Sequence, residues 1–150
     1  MKNYILLFLC ISFFIGCKDD KKEKTNEMEQ CYKDPVIKYK YDSISFWFVE
    51  KYENINLKDA KITHIHNGKT VLLNYKTKQK DSKITIKSIE NLVTKDTLNI
   101  FISNKTNITI SNFKNGPAYG GKNFLGCVLS EYTVNGENRG DAMHGTLTIY

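Results

Sequence analysis

Two histidines one residue apart, His64 and His66, have the spacing in this chain that most invites chemistry. Residues i and i+2 of a strand share a face. Paired imidazoles could therefore begin a zinc or copper site, with His144 as a distant third ligand. The local pattern argues against that use. Asn67-Gly68 follows directly and reads as a two-residue hairpin turn, which places Lys69 opposite His66, where its ammonium would repel a cation. A hairpin tip also accounts for exposed polar residues without a ligand. The expectation is no metal and no cofactor, with His64 and His66 as weak candidates.

The remaining titratable groups are scattered. Asp141 and His144 lie in ENRGDAMHG, where such a pair could orient a general base, and Ser130 or Cys127 would have to act as nucleophile. No nucleophile-elbow pattern surrounds either one, and these residues are ordinary turn formers. Arg139-Gly140-Asp141 spells an integrin-type tripeptide, a match too short to assign a role. Glu131 and Glu137 could supply two carboxylates for glycoside hydrolysis, but a strand and its turn leave their separation undefined. No set of nucleophile, base and orienting acid is visible, so the chain reads as a non-enzyme.

The stretch NFKNGPAYGGKNFLG, residues 112–126, is a stronger candidate for binding. Its glycines and proline predict an irregular loop. Phe113, Tyr119 and Phe124 supply aromatic area, with Lys114 and Lys122 beside them. Loops on a rigid scaffold often carry function, and aromatics beside polar groups suit sugar rings or a protein partner. The competing reading folds the aromatics back over the core.

The elements that would position these residues are strands. Ile37, Tyr39 and Tyr41 alternate with lysines. Ile44, Phe46 and Phe48 share one face, with Trp47 and Val49 on the other, so this second strand reads as apolar on both sides and central. The Asn-Gly hairpin pairs Ile62 with Leu73, His64 with Val71 and Ala60 with Tyr75, placing Ile62, Val71, Leu73 and Tyr75 toward the core. Further strands are expected at Lys83–Ile89, Leu98–Ile102, Asn107–Phe113, Leu125–Val134 and Gly145–Tyr150. About eight strands with no helical periodicity predict an all-β single sandwich, immunoglobulin-like or transthyretin-like, with a small lipocalin-like barrel as the alternative.

The first thirty residues differ in kind. Met1-Lys2-Asn3 is basic, and Tyr4 to Gly16 is an unbroken apolar run. Thirteen residues fall short of the roughly 20 that span a bilayer, but they match the apolar region of a secretory signal. Phe14-Ile15-Gly16-Cys17 resembles the bacterial lipobox. The resemblance implies removal of residues 1–16 and attachment of a diacylglyceryl group to the Cys17 sulfur. Each buried CH₂ contributes about 0.8 kcal/mol, and two or more chains anchor stably. Nine of the thirteen residues from 18 to 30 are charged, predicting a solvated tether after the lipidated cysteine over 17–30. Lys18-Asp19-Asp20 resembles the export signal of surface lipoproteins in the Bacteroidota, which implies an outer-membrane protein facing the cell exterior. Asp42-Ser43-Ile44 and Asp96-Thr97-Leu98 resemble the O-glycosylation motif of the same group.

If Cys17 carries lipid and Cys10 is discarded, Cys31 and Cys127 remain in an oxidising setting, and a single disulfide is expected. Two free thiols are the alternative. Residues 31–150, the expected all-β domain, hold 17 Lys plus Arg against 11 Asp plus Glu, a net +6. Arg139 is the only arginine, although arginine best suits bidentate phosphate recognition. Nucleic acid is therefore not an expected partner. The expected role is a non-enzymatic binding or accessory module for a glycan or protein. A small inhibitor or immunity-type lipoprotein is the alternative, and a barrel would instead suit a lipid or small-molecule carrier.

Overall fold

The computed structural model describes residues 20–39, 43–49, 52, 55–78, 82–87, 89, 92–103, 106–140, 142 and 145–150. The lipobox with Cys17, and Lys18, Asp19, Asp42, Asp141 and His144, lie outside them. Ten strands follow one helix, α1 (Asp20–Lys33), among the described residues. They are β1 (Ser43–Phe48), β2 (Lys61–His66), β3 (Lys69–Leu73), β4 (Lys76–Lys78), β5 (Lys83–Lys87), β6 (Thr97–Ile102), β7 (Thr106–Gly120), β8 (Asn123–Val134), β9 (Glu137–Arg139) and β10 (Thr146–Ile149). One sheet has the order β10-β1-β5-β4 and the other β3-β2-β6-β7-β8-β9. This is an all-β sandwich and not a closed barrel. The carrier reading required a barrel and loses its basis.

Strand alternation builds the core. On the four-stranded sheet Ile44 pairs with Ile86, Phe46 with Ile84 and Leu147, and Phe48 with Ile149. All seven are buried. The six-stranded sheet answers with two rows, Ile62–Ile100–Ile108 and His64–Leu98–Ile110–Val134. The second row puts a histidine among inward-facing apolar residues. Tyr132, fully buried on β8, donates its hydroxyl to the Thr148 carbonyl (3.0 Å) and accepts from the Thr148 amide (2.8 Å), tying β8 to β10 of the opposite sheet.

Several expectations need correction. Residues 18–30 were expected to form a solvated tether, but from Asp20 onward the chain is the helix α1. A charged composition forbids burial, not helicity. Lys, Glu and Gln are good helix formers, and Glu29–Lys33 adds an exposed i,i+4 pair at 3.2 Å. Lys24, Glu27 and Cys31 follow an i, i+3, i+7 stripe facing β7 and β8. The Tyr119 hydroxyl donates to Glu27 Oε2 (3.0 Å), and Lys24 Nζ lies 5.9 Å from the Tyr119 ring centroid. Pro35 ends the helix, because the residue before a proline disfavours the helical region.

The alternating run from Ile37 forms no strand within the described residues; Val36 makes only an isolated bridge to Val93. Trp47 is half-exposed although Ser45 on the same face is buried, so β1 is central but only partly covered on its second face. Val71 pairs with His64 as expected yet is 55% exposed, on the strand at the edge of the sheet.

Candidate functional site

The expected binding loop at 112–126 is instead a long β-hairpin formed by β7 and β8, with its turn at Gly121-Lys122. Glycine and proline usually argue against strands. Among the described residues, however, no strand pairs with β7 on the β6 side beyond Ile110, so Pro117 lies in a stretch with a free edge, where a proline is tolerated. Asn112 takes a left-handed φ of 54° as β7 shifts register between Ser111 and Lys114, a bulge that re-aims the residues after it.

That register shift separates the five candidates. Phe113 is buried in the core. Lys114 faces out and pairs with Glu131 on β8 at 2.9 Å, which holds its ammonium pKa above the ordinary value. Tyr119 is partly exposed; desolvation and its bond to Glu27 raise its phenol pKa. Phe124 tilts against Tyr119 with centroids 6.0 Å apart, and Lys122 is exposed at the turn. The aromatic trio is therefore no single platform.

What the hairpin does build is a groove. Outward positions Ser111, Thr133 and Asn138 align across β7, β8 and β9, with the Lys114–Glu131 pair alongside. Tyr32, 48% exposed in the last turn of α1, stands beside them. Tyr32, Asn112, Lys114, Glu131, Thr133 and Asn138 line an open hollow of about 930 Å³. A second of about 440 Å³ also has Tyr32, Glu131 and Asn138 in its wall. The groove thus offers an aromatic face, two exposed amides and a hydroxyl, with Lys114 and Glu131 neutralising each other. Gly116 forms part of the second hollow and must lack a side chain, since a Cβ there would stand 2.5 Å from Ser130 Oγ and 2.8 Å from its Cβ.

Helix, hairpin and the preceding segment are fastened together at this place. Cys31 and Cys127 form a disulfide linking α1 to β8. This removes Cys127 as a nucleophile and the free-thiol alternative. Asn115, buried to 1%, accepts from the Lys38 amide (3.0 Å) and donates to the carbonyls of Asp34 (3.1 Å) and Val36 (2.8 Å). One side chain thus does for residues 34–38 what a neighbouring strand would do.

His64 and His66 are not the exposed tip residues that were expected. The Asn67-Gly68 turn forms as read, with φ of 48° and 74°, and Lys69 pairs with His66. His64 nevertheless points into the core rim at 6% exposure, and Asp96 is 2% exposed. His64 Nε2 lies 2.7 Å from Asp96 Oδ2, and His66 Nδ1 lies 2.9 Å from Oδ1. The Val93 amide also donates to Asp96 at 2.9 Å. Burial alone would raise the Asp96 pKa. The Val93 bond and both imidazoles outweigh it and hold the carboxyl below its ordinary value of 3.8.

Asp96 was read only as part of a glycosylation-like tripeptide. A legible signal existed: a carboxylate just before a strand that pairs with the histidine strand. Using it required knowing that β2 pairs with β6. Elsewhere Arg139 bonds Glu137 at 2.6 Å and stacks on Tyr150, while Glu131 pairs with Lys114, so each of the two glutamates is held by its own cation. Comparison with known proteins supplies no relative: no family model, no curated protein and no solved structure matches the chain.

Proposed function

We propose that this chain is a lipoprotein of the outer membrane, anchored through Cys17 and facing the cell exterior, whose sandwich binds a neutral glycan in the groove beside Tyr32. The groove carries the reading. An exposed tyrosine ring suits the apolar face of a sugar, and amides supply donors and acceptors for its hydroxyls. Among the described residues that line the groove, Lys114 is the one cation and it is paired with Glu131, which speaks against acidic polymers despite the net +6. Among the described residues no helix is long and apolar enough to cross a membrane, and the lipid anchor would supply the attachment.

A protein-blocking role, of the inhibitor or immunity type, is the second reading. The edge strand β3 favours it, because Val71 and Leu72 are 55% and 66% exposed beside unpaired backbone groups.

Titrating the full chain with neutral oligosaccharides by calorimetry tests the first reading. Tyr32→Ala and Asn138→Ala should each weaken binding about tenfold without changing the fold. If the wild-type chain takes up no neutral saccharide, the glycan reading fails, and capture of a protein partner through β3 becomes the better account.

The anchor has its own test. Cys17→Ser should move the protein from the membrane to the soluble fraction, since one sulfur carries the diacylglyceryl attachment. Replacing both Asp19 and Asp20 by Ala should leave it membrane-bound but inaccessible to protease added to whole cells. An unlipidated Cys17→Ser protein that still sediments with membranes would refute the anchor.

A further inference from the structure

The geometry points to a zinc-class divalent cation site formed by His64, His66 and Asp96. It is independent of the glycan groove and lies at another place in the fold. The three residues offer two imidazole nitrogens and one carboxylate oxygen, all within 4.8 Å of one another. Zinc holds such donors at about 2.0–2.2 Å, so a tetrahedral site needs them about 3.4 Å apart. The contacts of one such oxygen, Asp96 Oδ2, with His64 Nε2 (2.7 Å) and His66 Nδ1 (3.1 Å) need open by about 0.7 and 0.3 Å. The two imidazole nitrogens lie within 4.8 Å of each other, and rotation of the partly exposed His66 ring is the movement that would adjust their spacing.

Position supports the set. His64 occupies an inward place in the row His64–Leu98–Ile110–Val134, so its ring is fixed by the core rim. Asp96 is held by the Val93 amide, the kind of outer contact that orients a ligating carboxylate. His66 has a side chain one-third exposed, leaving one side of the cluster open to water as a fourth ligand.

Charge supports it too. A carboxylate at 2% exposure, contacted by two imidazole nitrogens and one backbone amide, is a place where a divalent cation would offset buried negative charge. Lys69 is the objection raised by the hairpin register. β2 lies between β3, which carries Lys69, and β6, which follows Asp96, and the His66 Nδ1 contact turns the ring toward Asp96. The ring therefore turns away from the strand that carries Lys69.

Proton bookkeeping is simple. The cation takes the place of the protons now shared with Asp96. With one proton per ring, that proton now lies on the nitrogen facing Asp96. On metal binding it leaves to solvent and another is taken up on the far nitrogen, Nδ1 of His64 and Nε2 of His66, so the rings undergo no net change in protonation. Asn67, whose amide nitrogen lies 2.9 Å from His66 Nε2, can present its oxygen to that proton by turning its amide over.

The test is Zn²⁺ titration of the chelator-treated full chain by calorimetry, with histidine side-chain NMR alongside. One Zn²⁺ per chain is expected, with the signals of His64 and His66 shifting together. His66→Ala, at a partly exposed hairpin position, should fold as the parent by circular dichroism and bind at least tenfold more weakly. Asp96→Asn should do the same where it folds; His66→Ala carries the decision where it does not. A wild-type chain that binds no Zn²⁺ overturns the site. Unchanged binding in folded His66→Ala, or shifts confined to other residues, overturns it equally.

Discussion

Opening the Cys31–Cys127 bond, by Cys127→Ser or by reduction, is expected to remove up to about 4.7 kcal/mol of stability. The bond closes a span of 96 residues, and a cross-link of that length removes about this much freedom from the unfolded chain in the entropy model. Guanidinium unfolding of oxidised and reduced protein would measure the loss as a lower midpoint. A second readout follows from what the bond holds. Cys31 is the one fully buried residue described in α1, and a fourteen-residue polar helix is marginal in water alone. Opening the bond should therefore also lower the helical circular dichroism signal. A reduced chain that keeps its midpoint and its helix would show that the Tyr119–Glu27 contact and the sheet suffice.

Asn115→Ala is expected to cost about 3 kcal/mol. The buried side chain makes three part-buried hydrogen bonds to residues 34–38, and its removal takes the partner from one amide and two carbonyls. Each unsatisfied buried group costs about 1–3 kcal/mol, and partial relaxation of the segment trims the sum. Unfolding midpoints measure it. The two changes should be less than additive, because both release residues between the helix and β1, and neighbouring sites that share partners couple. Full additivity would mean that Asn115 and the disulfide act on independent parts of the fold.

The groove and the histidine cluster were unequally legible. Ile44, Phe46 and Phe48 on one face of β1, and Leu98, Ile100 and Ile102 on one face of β6, follow from strand alternation and were read correctly. Asn67-Gly68 set its hairpin register, because two successive positive φ values leave few other residue choices. Asn135-Gly136, with φ of 51° and 85°, is the same signal and places β9 beside β8; its proximity to the Gly-rich ENRGDAMHG stretch obscured it. The 112–126 hairpin was missed because glycine and proline penalise a strand only where both edges are paired, and half of β7 has a single neighbour.

By itself the sequence determined an all-β chain, with a sandwich expected ahead of a barrel, most of its inward-facing residues and the expectation of one disulfide. These depend on local periodicity, on turn chemistry and on counting thiols. It also carries the lipobox-like start on which the proposed anchor rests. Only the tertiary structure decided which residues meet. Tyr32 joins Asn138 because a disulfide holds the helix against β8. Asp96 joins His64 and His66 because β6 pairs with β2 across thirty intervening residues. Such contacts arise from sheet order and bulge position, which no local pattern encodes.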